Sequence, residues 1–106
     1  MTDPKRPLLW SRDALTDLGE IWRYYAEVAT PQTADGIVRN IEKACRLLED
    51  YPFAGRARDE VRPGLRSIAA RPHVVFYRAS GDAAEIVRVL DDRRDLDEIF
   101  TDESGG

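Results

Sequence analysis

Two helical periodicities meet at Thr30-Pro31 with no room between them for a linker, and this junction restricts the possible architectures more than any other feature. Upstream, apolar residues recur at Ala14, Leu15, Leu18, Ile21, Trp22, Tyr25 and Ala29, a spacing that gives a helix one face to bury. The Ser11 hydroxyl can cap that helix and Asp13 complements the dipole of its first turn. Asp17, Glu20, Arg23 and Glu27 are assigned to the opposite side. At the junction, threonine supplies a capping hydroxyl and proline takes the first helical position, where its missing N–H costs nothing. Downstream, the apolar set is Ala34, Ile37, Val38, Ile41, Ala44, Cys45 and Leu48. Tyr51-Pro52 ends the second helix, because proline disfavours the helical conformation in the residue before it. Helices joined this tightly form an antiparallel hairpin. Such a hairpin cannot bury both apolar faces by itself, so the rest of the chain has to supply a sheet.

The strands are readable by propensity. Leu8-Leu9-Trp10 is a short first strand, and 55–64 reads as an arginine-rich loop. Leu65–Ala70 is a second strand, and Arg71-Pro72 makes a tight link to His73–Arg78, the clearest strand by β-propensity. Ala79–Ala83, with Ser80-Gly81-Asp82 at its centre, is a hairpin turn, and Glu85–Leu90 returns antiparallel. Leu96, Ile99 and Phe100 form a last helical turn that docks back on the body. The expected fold is α+β and two-layered: an N-terminal strand and helical hairpin packed on a small, mainly antiparallel sheet, in the order β-α-α-β-β-β. A chain of 106 residues fits one domain spanning 1–106, with flexible ends at 1–7 and 101–106.

Bulk properties narrow the class of function. No apolar run approaches the roughly 20 residues that span a bilayer, and the first seven residues lack the apolar core of a signal peptide. The single cysteine, Cys45, leaves no internal disulfide. These features point to a cytoplasmic protein without membrane contact. The net charge of −4 argues against generic nucleic-acid binding. Its distribution is uneven, however. Arg56, Arg58, Arg62, Arg66, Arg71 and Arg78 face only Asp59 and Glu60 in the middle of the chain, whereas acids dominate after Leu90. Arginine suits bidentate recognition, although a genome-wide composition bias produces the same excess over lysine.

Single residues are weighed against their plain structural roles. His73, the one histidine, has no evident orienting partner, so it reads as structural rather than as a catalytic base. Cys45 falls on an apolar face and reads as packing. Asp91-Asp92-x-x-Asp95 matches a diphosphate–magnesium motif, but that chemistry needs a long helical bundle and a second motif, both missing; a hydrated acidic loop is the reading. No metal or cofactor is expected. Trp22 and Tyr25 lie on the apolar stripe of the first helix, where core packing competes with a role as interface anchors. Tyr24, off that stripe, is the better surface candidate. If Val87 and Val89 face the helices, Arg88 turns to the open face of the sheet with Ile86 and Leu90. An open face mixing aliphatic residues with arginine is a binding surface.

The ordered set Ala14-x-x-Asp17-Leu18-x-x-Ile21-x-x-Tyr24, Pro52-x-x-Gly55, Gly64-Leu65-Arg66, Val75-x-Tyr77-Arg78, Ile86-Val87-Arg88-Val89-Leu90 and Arg93-Arg94-Asp95 resembles the RelE/ParE toxin family and leans to its ParE branch. The resemblance covers about residues 9 to 100. It implies the toxin of a type II toxin–antitoxin pair, masked by a ParD-like antitoxin whose flexible C-terminal half folds on the toxin. DNA gyrase is the implied target, and operator DNA would be met only through the antitoxin. RelE-type members instead cleave messenger RNA on the ribosome, which requires a base, an acid and cations on the phosphate. After Arg78 this chain has no Tyr, His or Lys, so no catalytic residue is assigned. Arg66, Arg88, Arg93 and Arg94 are the expected antitoxin or target contacts, with Tyr24 and Trp22 as weaker antitoxin contacts. The alternatives are a RelE-type ribonuclease with Arg66 and Arg88 on the scissile phosphate, or a non-toxic interaction module on the same fold.

Overall fold

Ser11 couples the first strand to the first helix. Its hydroxyl accepts the Ala14 amide at 3.0 Å and donates to the Val87 carbonyl at 2.8 Å, while its own amide donates to the Ile86 carbonyl at 2.9 Å. One residue therefore caps the helix and stitches its start to a strand 76 positions away. The computed structural model describes residues 7–80, 83–93 and 100. Of the flexible ends expected at 1–7 and 101–106, all but Pro7 lie outside the described residues, as do Leu96 and Ile99 of the expected last turn.

The element order is β1 (Leu8–Trp10), α1 (Arg12–Val28), α2 (Pro31–Asp50), β2 (Arg56–Ala57), β3 (Leu65–Ala70), β4 (His73–Ala79) and β5 (Ala84–Asp91). The helical hairpin forms as its junction dictates: the Thr30 hydroxyl accepts the Thr33 amide at 3.0 Å and Pro31 opens α2. The sheet order is β1-β5-β4-β3-β2, with β1 parallel to β5 and every other pair antiparallel. The architecture is the expected α+β two-layer arrangement with one addition. Arg56–Ala57, read from sequence as loop, pairs with Ser67 and Arg66 as a two-residue edge strand. Two residues carry no alternation, so propensity cannot reveal them.

The helices cover one face of the sheet. Ala14, Ile41, Cys45 and Leu48 pack there against Val75, Tyr77, Ile86 and Val89. Removing a buried Ile or Leu side chain from such a core costs about 2–5 kcal/mol. Burial, with the Glu42 carboxylate adding to it, pushes the Cys45 thiol up to about 12, so it stays protonated and serves as packing. The other face carries a smaller cluster of Leu65, Phe76, Leu90 and Phe100, with Val61, Val74 and Val87 against it. Phe100 meets Phe76 edge-on at 5.2 Å between ring centroids.

Simple alternation fails in β5. Phe76 lies opposite Arg88 and Tyr77 opposite Ile86, which leaves Val87 as an extra residue in a β-bulge. As a result Ile86 and Val89 both enter the helix-side core while Val87 and Leu90 join the opposite cluster. This corrects the expectation that Val87 would share a face with Val89, and Ile86 with Leu90. The extra residue shifts every side-chain direction upstream of it.

Gly55 packs where no other residue fits. Its amide donates to the buried Tyr77 hydroxyl at 2.8 Å. A Cβ there would lie 2.6 Å from the Tyr77 ring and 2.7 Å from the Ser67 carbonyl oxygen. Because one of those neighbours is backbone in the middle of the sheet, it cannot yield cheaply. Gly55→Ala is expected to lower unfolding free energy by about 1–3 kcal/mol, measured by denaturant titration. An unchanged midpoint would show that the turn tolerates a side chain.

Candidate partner-binding groove

β1 stops at Trp10, opposite Ile86, but β5 continues to Asp91. Among the described residues the last part of β5 therefore has no strand on that side, and α1 passes along it instead. Asp17 fills the vacancy. It is 6% exposed, and its carboxylate accepts the Arg88 guanidinium through two bonds, Nε to Oδ2 at 2.8 Å and Nη2 to Oδ1 at 3.0 Å. It also accepts the Val89 amide at 2.9 Å. Desolvating a carboxylate costs several kcal/mol, and here a bidentate guanidinium and a main-chain donor offset that cost. The same three bonds blunt a sheet edge that would otherwise be open to pairing.

Asp17 is a correction to the sequence reading, which put it on the polar side of α1. It lies three residues after Ala14 and four before Ile21, so helical geometry places it on the buried stripe. Arg88 is likewise turned from the expected open face. Its register partner Phe76 is on the face away from the helices, yet at the edge of the sheet its long side chain reaches α1.

Beyond this ion pair lies a groove of about 490 Å³ between α1 and the unpartnered part of β5. Glu20, Ile21, Tyr24, Tyr25 and Val28 form the helical wall, spaced so that they share one side of α1. Val89, Leu90 and His73 form the opposing surface, with Asp91 and Arg93 at the rim. Three rings run inward. Tyr24, 58% exposed, meets Tyr25 edge-on at 5.1 Å, and Tyr25 meets His73 at 6.1 Å. His73 is buried, and its Nδ1 has no hydrogen-bond partner. Burial lowers its pKa, against the opposing pull of the Asp91 and Asp92 carboxylates, so the ring is neutral at physiological pH. At the rim, Arg93 donates to Asp91 from Nε and Nη2, both at 3.0 Å, and from its amide at 2.9 Å. Those bonds hold the Asp91 carboxyl down at about 2.

Of the six residues singled out by sequence, the groove brings together Tyr24, Arg88 and Arg93. Trp22 points elsewhere: its indole N–H donates to Asp35 on α2 at 2.8 Å and ties the hairpin together. Arg66 does not line the groove. Its guanidinium lies 5.3 Å over the Phe53 ring, with Nε buried and without a hydrogen-bond partner. Arg94 lies outside the described residues. Sequence reasoning did not place Glu20, Val28 or His73 here. The helical offsets from Tyr24 and Ile21 carried the signal for the first two. His73 joins the groove only through the pairing of β4 with β5, which places it opposite Asp91. Among the described residues no helix is long and apolar enough to cross a membrane.

A two-layer fold with one helical hairpin, a parallel β1 and a groove at the end of β5 defines a class, and comparison with known proteins gives the family. The family described as "ParE toxin of type II toxin-antitoxin system, parDE" matches residues 8–96. Toxin ParE1 of Mycobacterium tuberculosis (strain ATCC 25618 / H37Rv) is 37% identical over 90 residues, 84% of this chain and 92% of that protein. Toxin ParE3 of Caulobacter vibrioides is 34% identical over 86 residues, 81% of this chain and 86% of that protein. Among solved structures, one described as the chromosomal ParDE TA system from P. aeruginosa superposes with a TM-score of 0.73 at 26% identity, covering 82% of this chain and 96% of that one. A YoeB/ParE toxin from Agrobacterium tumefaciens shares the fold, with a TM-score of 0.54 at 20% identity over 80% of this chain and 96% of that one. The chain belongs to the ParE family of toxins of type II toxin–antitoxin systems.

Asp17→Ala leaves Arg88 and the Val89 amide without their acceptor and is expected to cost about 3–5 kcal/mol. Arg88→Glu, which sets two carboxylates against each other in the same space, is expected to unfold the protein rather than merely alter a surface. Thermal and denaturant melts of both variants check this, and native-like stability in either would contradict it.

Proposed function

We propose that this toxin acts by binding DNA gyrase and arresting replication in the cytoplasm, and that a ParD-like antitoxin neutralises it by laying a segment in the groove between α1 and β5. The observation that carries the reading is the groove's make-up: an exposed tyrosine and valine on a rigid helix, faced by strand residues and rimmed by an exposed arginine bonded to the Asp91 carboxylate. Aromatic groups on a fixed element anchor a docking segment at low entropic cost. An amphipathic antitoxin segment would set its apolar face on Ile21, Tyr24 and Val28 and offer a carboxylate to Arg93 in competition with Asp91. Ordering that segment costs about 2–5 kcal/mol, which the buried area has to exceed.

Binding, rather than catalysis, suits the titratable groups present. His73 is buried and neutral, Asp91 is held by Arg93, and Arg88 is committed to Asp17. None is poised to move a proton at neutral pH.

Two measurements test the reading. Purified toxin is expected to inhibit gyrase supercoiling and to leave transcripts intact in an antitoxin-free cell. Codon-spaced transcript cuts with gyrase unaffected would replace this reading with the ribonuclease one, and neither effect would favour a non-toxic module. Tyr24→Ala is expected to weaken antitoxin binding about tenfold or more, as loss of an interface anchor does. Unchanged affinity by calorimetry would remove the groove as the docking site.

A further inference from the structure

On the face of the sheet away from the helices, at the end where the β3–β4 turn meets the end of β5, lies a second cleft of about 260 Å³. Arg56, Arg58 and Arg71 line it around the hydroxyl of Ser67. The strand register explains the convergence. Arg56 sits opposite Ser67, and the Arg58 amide continues the pairing by donating to the Leu65 carbonyl at 2.7 Å. Arg58 then folds back, donating from Nε to Ser67 Oγ at 2.8 Å. Arg71 arrives from the β3–β4 turn, and the Asp92 amide, bonded to the Pro72 carbonyl at 3.0 Å, brings the end of β5 to the rim. Among the described residues Asp92 is the one carboxylate that lines the cleft. Glu60 approaches Arg58 only at 3.7 Å from an exposed position, and neither Arg56 nor Arg71 has an ion-pair partner among the described residues.

We propose that this cleft binds the phosphodiester backbone of duplex DNA. Three arginines line the cleft, one of them fixed by the hydrogen bond that its Nε donates to Ser67, and guanidiniums present the forked donor geometry that matches phosphate oxygens. The cleft is large enough for phosphate groups and too small for a helix. Among the described residues the one aromatic ring that lines it is that of His73, which is 4% exposed and offers no open face on which an unpaired base could stack, so the contact is to backbone rather than to single strands. The chain's net charge of −4 does not oppose this, because the cleft sets three arginines against one carboxylate among the described residues. The reading goes beyond contact with DNA through the antitoxin. It deepens the gyrase proposal, since gyrase holds duplex DNA and a toxin on its surface could grip that DNA directly.

The test contains no gyrase, so failure of the cleft and failure of gyrase inhibition are separable. Binding of the full-length toxin to a short labelled DNA duplex is followed by fluorescence anisotropy from about 50 to 200 mM salt. Three phosphate contacts give a slope of log K against log salt of about −2.7. Arg56→Ala and Arg71→Ala, both at exposed positions and checked for folding by circular dichroism, are each expected to lower that magnitude by about 0.9. Arg23→Ala, an exposed cation on α1, is expected to leave it unchanged. The proposal is overturned by absence of binding at the lowest salt, by slopes indifferent to Arg56 and Arg71, by an equal effect of Arg23, or by single-stranded RNA binding as well as the duplex.

Discussion

The Asp17 carboxylate meets a guanidinium 71 positions further along the chain and a main-chain amide 72 positions along. Closing so long a loop is entropically costly, and the contact exists because packing on both sides brings the partners together. Its position explains what surrounds it. β1 ends before β5 does, so part of β5 needs another partner, and the first turns of α1 supply it. The bulge between Ile86 and Val89 fits this arrangement, adding one residue so that Arg88 and the Val89 amide can converge on one carboxylate. The start of α1 is fixed to the same stretch by Ser11, which bonds to Ile86 and Val87. The groove wall is thus held at its lower end by charge-assisted and main-chain hydrogen bonds. Its upper end, at Tyr24 and Val28, stays exposed for a partner.

The arginines, the most conspicuous feature of the composition, divide into distinct physical roles. Arg88 is structural, mostly buried and paired. Arg93 is at a rim, 86% exposed, and bonded to a neighbour two residues away, an arrangement of little energetic weight and easily exchanged. Arg62 lies 5.3 Å over the Phe100 ring and donates to its carbonyl at 2.8 Å, helping to hold that residue against the sheet. Arg66 covers Phe53 on the side of Tyr77. Arg56, Arg58 and Arg71 gather in a second cleft. The toxin therefore has two candidate surfaces of different chemistry, one aromatic beside α1 and one cationic on the opposite face of the sheet.

The parts of the fold legible in the sequence are those governed by local rules. Thr30-Pro31 sets the hairpin through capping and the fixed φ of proline, and His73–Ala79 is a strand because β-branched and aromatic residues follow one another there. What escaped depends on relations between distant segments. β2 is two residues long and follows directly on Gly55, where the chain comes close to Tyr77. The bulge cannot be seen in the run Ile86-Val87-Arg88-Val89-Leu90, where every alternation is plausible until β4 imposes its register. The candidate site was half legible. Tyr24 was picked out because it leaves the apolar stripe, and Arg88 and Arg93 for their charge. Asp17 was passed over because a carboxylate on a helix is normally solvated, and only a partner from β5 makes its burial tolerable.

That burial is the centre of the account, and amide hydrogen exchange at Val89 tests it most directly. An amide on a strand edge with no neighbouring strand would ordinarily exchange fast. If Asp17 accepts it within the docked structure, Val89 is protected to the level of the β5 amides bonded to β4, and opens only with the global unfolding of the domain. Exchange of Val89 at the rate of an exposed loop, while the β4–β5 amides remain protected, would mean that α1 does not hold this edge and that the groove built upon it has no fixed wall.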